Sequence, residues 1–301
     1  MTFLTSLSQP NKLILDGATG TELNRRGVDT GLPLWSANAL MNDRDARILQ
    51  QIHEDYLRAG ADIITANTFR THRRALAPSG NADRALEFTR RAVEIARAAI
   101  ANVPSDKARF VAGSISTLED CYRPDLVPSD DELRTEHFER IHHLIECGVD
   151  LILIETINTI REAVIMAKLA TITGTPVIVS FVCGREGKIL SGETLTEAAS
   201  QLLQLGISAI GVNCGPTPNL AKPLAELQVA CLSATAGGKD FPLIAYGNIG
   251  YADEKVGWVN TDSENPKAYC ELASHWPAKI IGGCCGTTPE HITKLKLAIK
   301  K

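Results

Sequence analysis

The nine residues CGVDLILIE, 147–155, contain a glycine, a mostly apolar run of strand length and a terminal carboxylate. The same order recurs in AGADIITAN, 59–67, and in LGISAIGVN, 205–213. In each, a glycine able to stop a helix in the left-handed conformation leads into the apolar run. A polar residue stands seven positions after that glycine: Asn67, Glu155 and Asn213. Ahead of the first glycine, Ile48, Leu49, Ile52, Tyr56 and Leu57 recur at helical spacing between charged residues. The unit is therefore amphipathic helix, glycine, buried strand, polar tip. Continuous apolar strands alternating with such helices predict parallel strands covered by helices.

Eight segments read as strands: KLILD (12–16), DIITAN (62–67), RFVAGSIS (109–116), DLILIE (150–155), PVIVSFV (176–182), SAIGVN (208–213), PLIAYGN (242–248) and KIIGG (279–283). Most are followed by a helical stretch, over a chain of 301 residues. That count and length predict an α/β fold, a (β/α)8 TIM barrel forming a single domain over residues 1–301. A doubly wound open sheet is the alternative. It is disfavoured because DGATGTEL, after the first strand, lacks the glycine spacing of a dinucleotide-binding turn. In a barrel the active site lies at the C-terminal ends of the strands. Those ends carry Asp16, Asn67, Ser114, Glu155, Cys183, Cys214, Asn248, Cys284 and Cys285.

Composition narrows the function classes. With 31 basic and 35 acidic residues the net charge is -4, so no strong field points toward nucleic acid or an anionic membrane. The most basic stretch, Arg70 to Arg97, is interleaved with Asp83, Glu87 and Glu94 and reads as a solvated helix face. No secretory signal is evident at the N-terminus, and no apolar run reaches the roughly 18 residues of a membrane span. The protein is expected in the cytoplasm. Its eight cysteines are too scattered to staple a chain of this length.

Three of them fall at strand ends, in GVNCGPTP (211–218) and GGCCGTTP (282–289). Across a barrel rim, Cys214 can face Cys284 and Cys285. Three converging thiolates suit a soft tetrahedral cation, zinc by default, and leave one position for an exchangeable group. The competing reading is a redox-switch binding protein with a Cys284–Cys285 disulfide. Gly282 and Gly283 are expected to let the backbone turn tightly enough for both side chains to reach one ion. Thr288 and Pro289 read as the N-cap and first residue of a last helix, whose positive end would favour thiolates at Cys284 and Cys285.

LDGATGTELNRRG (15–27), ANTF (66–69), IETI (154–157), GVNC (211–214) and GGCCGTTPEHI (282–292), in this order, resemble the homocysteine S-methyltransferase family. The resemblance spans nearly the whole chain. It implies a zinc-binding (β/α)8 barrel that methylates homocysteine to methionine, with Cys214, Cys284 and Cys285 as Zn2+ ligands and Asn248 a possible oxygen ligand in the substrate-free state. It also implies that Asp16 and Glu155 help hold homocysteine, a carboxylate being the natural partner of its α-ammonium. Gly17, Thr19 and Thr21 could offer donors to the α-carboxylate, and Asn213 could orient the site. A chain consumed by its barrel has no room for folate and cobalamin domains, so the expected donor is a small sulfonium, S-methylmethionine or S-adenosylmethionine. Betaine is the alternative, disfavoured by the few aromatics in ANTFRTHRRAL (66–76), and selenocysteine or another thiol is an alternative acceptor. Trp35 and Tyr246 are candidates to face a cationic donor. LEDCYRPD (118–125) is where donor specificity is expected to reside, and nothing marks its Cys121 as a ligand. The expected partners are these small molecules, with no nucleic acid and no membrane.

Overall fold

A computed structural model describes residues 1–235, 240–253 and 257–299. The barrel strands are β1 (Leu13–Ile14), β2 (Ile63–Ala66), β3 (Phe110–Ile115), β4 (Leu151–Ile157), β5 (Val177–Phe181), β6 (Ala209–Pro216), β7 (Leu243–Asn248) and β8 (Ile280–Gly283). All pair in parallel, in the order β1, β8, β7, β6, β5, β4, β3, β2. The ring closes where Leu15 bridges Ile63. There the Asp62 N–H donates to the Ile14 carbonyl (2.7 Å) and the Asp16 N–H to the Ile63 carbonyl (3.0 Å). The eight predicted strands and the TIM-barrel fold class are therefore present. No helix among the described residues is long and apolar enough to cross a membrane.

The repeat seen in the sequence has a direct structural cause. Gly60, Gly148 and Gly206 have φ of 107°, 71° and 76°, the left-handed torsion that ends the helical segment before each strand. Side-chain caps start several of the helices. Asn42 accepts from the Asp45 N–H (3.0 Å), and Ser129 with Glu132 and Thr194 with Glu197 form capping boxes. The apolar stripe of helix Asp43–Ala59 buries Leu49, Ile52, Tyr56 and Leu57 against the barrel.

Successive side chains of a strand point to opposite faces, so each barrel strand contributes alternately to two cores. Ile152 and Ile154 join the large outer core under the helices, while Leu151 and Leu153 join an inner cluster with Phe110, Ile178 and Ile244. Phe3, on the short helix Phe3–Leu7, packs edge-on to Phe110 (centroids 5.5 Å apart) and belongs to the same inner cluster. Continuing the inward register upward gives Thr65, Ser114, Glu155, Ser180 and Asn213. The interior thus changes from apolar to polar at the C-terminal mouth.

Strands β4 and β6 run beyond the tips read from sequence, to Ile157 and Pro216. Each contains a register shift, between Ile154 and Ile157 and between Asn213 and Pro216. Within these bulges Thr156 and Cys214 both take φ of 57°, rare for residues with a side chain. A two-stranded antiparallel ribbon, Gly250–Asp253 with Gly257–Asn260, follows β7 and was not expected from its polar sequence.

The glycine pair before the cysteines corrects one expectation. Gly286, with φ of 84°, supplies the left-handed turn, whereas Gly282 and Gly283 are not among the positive-φ residues. They are required by space: a Cβ on Gly282 would lie 2.6 Å from Leu15 Cβ and 2.8 Å from the Asp16 carbonyl oxygen. Gly282→Ala should therefore force β8 away from the chain leaving β1 and destabilise the protein by about 1–3 kcal/mol. Urea unfolding checks this, and an unchanged midpoint would contradict the close approach.

Candidate metal and substrate site

A cavity of about 260 Å³ opens at the C-terminal mouth, walled by residues at or just beyond the ends of β1, β2, β3, β4, β6, β7 and β8. Asp16, Gly17, Thr19, Glu155, Cys214, Cys284 and Cys285 all line it. Segments spread from residue 16 to residue 285 are thus brought to one chamber.

The thiols converge from the bulge of β6 and from the turn after β8. Cys214 Sγ lies 2.9 Å from Cys284 Sγ and 3.8 Å from Cys285 Sγ, and all three fall within 4.8 Å of one another. A disulfide would need about 2.05 Å, and all eight cysteines are free. Tetrahedral thiolates around zinc, at about 2.3 Å each, stand about 3.8 Å apart, so the longer separation already matches such an edge. The donor set fits a soft divalent cation. Hydrogen bonds from Cys214 and Cys284 hold Cys285 well below the usual thiol range. Cys284 is pushed well above it by its bonds to Cys214 and Cys285. At the start of the last helix, Pro289–Ile299, His291 Nδ1 accepts from the Thr288 N–H (3.1 Å) while its Nε2 faces the Ser263 carbonyl (3.1 Å).

Two buried carboxyls line the same cavity. Asp16 accepts from the Thr65 N–H and the Thr65 hydroxyl, both at 2.8 Å. Glu155 accepts from the Ser114 hydroxyl and, at 2.9 Å, from the Tyr246 hydroxyl. Neither has a cationic partner within ion-pair distance among the described residues. Burial raises both, Asp16 to about 7 against the hydrogen bonds from Thr65, and Glu155 to about 7 against those from Ser114 and Tyr246. A ligand bearing an ammonium group would supply the missing countercharge.

The remaining sequence candidates divide into wall and scaffold. Thr19 makes no capping hydrogen bond with its side chain, and Thr21 accepts from the Gly286 N–H (3.0 Å), tying the first motif to the cysteine loop. Asn213 lies outside the cavity wall. Its Oδ1 accepts from the Thr156 N–H (3.0 Å) and the Ser180 hydroxyl (2.8 Å), and its Nδ2 donates to the Thr156 hydroxyl (2.8 Å). It holds the strained bulge of β4. Asn248 joins the two cysteine loops, donating to the Cys214 carbonyl (2.8 Å) and accepting from the Cys285 N–H (3.0 Å). Its oxygen is committed to backbone. Cys183 does not reach the chamber, whereas Cys121 lines it. Tyr246 is buried and gives its hydroxyl to Glu155, while Trp35 packs edge-on to Phe69 (5.6 Å) at the rim. Sequence reading missed Tyr122, whose hydroxyl meets Cys214 Sγ at 3.5 Å. Only its place in the loop after the third strand could have drawn notice to it.

The sequence model of the homocysteine S-methyltransferase family matches residues 13–299. The homocysteine S-methyltransferase of Escherichia coli (strain K12) is 31% identical, the alignment covering 96% of each chain. The selenocysteine Se-methyltransferase of Brassica oleracea var. italica is 28% identical over 93% of this chain and 86% of that one. Among solved structures, the metallated form of the homocysteine methyltransferase MmuM from Escherichia coli superimposes with a TM-score of 0.83 at 27% identity, covering 97% of this chain and 98% of that one. Because the match runs from the first barrel strand through the last helix, and the fold agrees over the same length, the chain belongs to the homocysteine S-methyltransferase family.

Proposed function

We propose that the protein transfers a methyl group from a small sulfonium, S-methylmethionine or S-adenosylmethionine, to homocysteine, giving methionine, with Zn2+ held by Cys214, Cys284 and Cys285. The observation that carries this reading is the presence of a three-thiol cluster and two buried carboxyls on the wall of one small cavity. A bound zinc ion would replace the proton of the acceptor thiol and so supply thiolate at neutral pH. Asp16 and Glu155 receive the α-ammonium, and the backbone around Gly17 with the Thr19 hydroxyl faces the α-carboxylate. Seated this way, the acceptor directs its sulfur toward the thiols. The new S–CH3 bond forms as the donor C–S bond breaks, and its electron pair remains on the donor, which leaves as a neutral thioether. Trp35 and Phe69 at the rim offer ring faces to the sulfonium. A chamber near 260 Å³, below the range typical of drug-sized ligands (about 300 Å³ and upward), favours the smaller S-methylmethionine. Similarity to a selenocysteine methyltransferase supports a second acceptor reading, since the same contacts serve any α-amino acid with a chalcogen at that reach.

Zinc-loaded protein incubated with homocysteine and, in turn, S-methylmethionine, S-adenosylmethionine and betaine should form methionine fastest with S-methylmethionine. Stoichiometric metal without product from any donor would overturn homocysteine as acceptor, and selenocysteine in competition separates the two acceptors. Cys285→Ala should lose both metal and activity, measured by metal analysis and methionine formation.

The carboxyls generate a second expectation. Asp16→Asn can still accept from the Thr65 N–H through its one oxygen and donate its amide to the Thr65 hydroxyl, but it removes the charge, and should lower kcat/KM for homocysteine by about 30-fold or more, as loss of a buried charged partner costs about 2–5 kcal/mol. Stability should move the other way. A carboxyl raised from 3.8 to about 7 holds a proton in the folded state that the unfolded chain releases, so its contribution to stability is lost as pH rises from about 4 to about 7. Asp16→Asn removes that loss, and its Tm at pH 8 should exceed that of the parent. A lower Tm would show that Asp16 is chiefly structural.

A further inference from the structure

Tyr122 has no place in the reaction described above, yet everything around it fixes its position. It ends a strap, residues 116–122, that leaves β3 and brings the Tyr122 hydroxyl to the thiol cluster. The strap is anchored along its length. The Ser116 carbonyl accepts from the buried guanidinium of Arg140 (2.6 Å), and the Leu118 N–H donates to Glu162 Oε1 (3.0 Å), itself 2.9 Å from His137 Nε2. Arg74 pairs with Glu119 (2.6 Å), and Asn158 donates to the Asp120 carbonyl (3.3 Å). The Asp120 side chain then accepts from the Tyr122 N–H (2.9 Å), setting the turn that delivers the ring. His137 and Glu162 are fully buried. A loop with so much buried polar support is built for position rather than for movement.

We propose that Tyr122 is a positioning residue of the metal site. Its hydroxyl donates to Cys214 Sγ at 3.5 Å, holding that ligand in place and withdrawing charge from its sulfur. The proposal rests on the reading that the three thiols hold the metal. Cys214 needs such support because it is the ligand placed by a strained backbone, at φ of 57°. Outer hydrogen bonds to metal ligands orient them, and removing one commonly costs about 10–100-fold in metal affinity. A hydrogen bond to a thiolate also lowers the energy of its lone pair, so it raises the energy of sulfur-to-metal charge transfer.

The test is Tyr122→Phe, which keeps the ring and removes only the hydroxyl. Tyr122 is 51% exposed, so the variant should fold, with Tm unchanged. Both proteins are loaded with Co2+ as a spectroscopic probe and titrated against a chelator. In the variant the sulfur-to-cobalt band should move to lower energy and the apparent metal affinity should fall at least about 10-fold. Coincident bands and chelator curves would overturn the proposal while leaving the metal site intact. A parent protein that takes up no cobalt would sink the metal reading, and this one with it. If Tyr122 served only as packing, neither the band nor the affinity would respond to loss of one oxygen.

Discussion

The pleat of a closed parallel sheet is the constraint from which this site follows. Because side chains alternate between the two faces, once Leu151 and Leu153 are committed to the barrel interior, Glu155 must follow them inward. The same parity carries Ile63 to Thr65, Phe110 to Ser114 and Ala209 to Asn213. A one-residue slip in any strand would turn its polar tip toward the apolar outer layer, where a carboxyl has no donors. Register and chemistry are thus set together, and the inner apolar cluster below acts as the floor that fixes both.

Much of this was legible in the sequence because it depends on local features. The helix-stopping glycines, the apolar runs and their polar tips are readable one segment at a time, and the glycines do take the left-handed torsion. What was not legible depends on neighbours far away in the chain. Gly282 is required by Leu15 and Asp16 across the strand gap, not by its own torsion. Asn213 and Asn248 carry the right chemistry for a site, yet their amides are used on Thr156, Cys214 and Cys285. Tyr122 is one tyrosine in a loop without periodicity, and only the folded strap shows which atom it meets. The ribbon after β7 has too little apolar patterning to announce itself.

The arrangement concentrates unfavourable terms where the chemistry is. Among the described residues, two carboxyls are buried without a cation, three non-glycine residues, Trp35, Thr156 and Cys214, hold a positive φ, and three thiols crowd within 4.8 Å. Each is tolerated because the helices around the ring bury an extensive apolar layer, and because the hydrogen bonds from Thr65, Ser114, Tyr246, Asn213 and Asn248 leave few polar atoms of the mouth without partners. On the proposed function, bound substrate and metal would complete the electrostatics that folding alone leaves open.

The placement of the thiols has one more consequence. Cys214 and Cys284 are separated by 70 residues of chain and by the whole of β7, with Asn248 at its tip tying their backbones together. An ion shared by them would close a long loop of the unfolded chain as a covalent crosslink does, and would clasp the last three strands as one unit. Occupancy of the site would then report on whether the ring is shut: the ion would be lost on partial opening at β6 to β8, well before the rest of the barrel unravels.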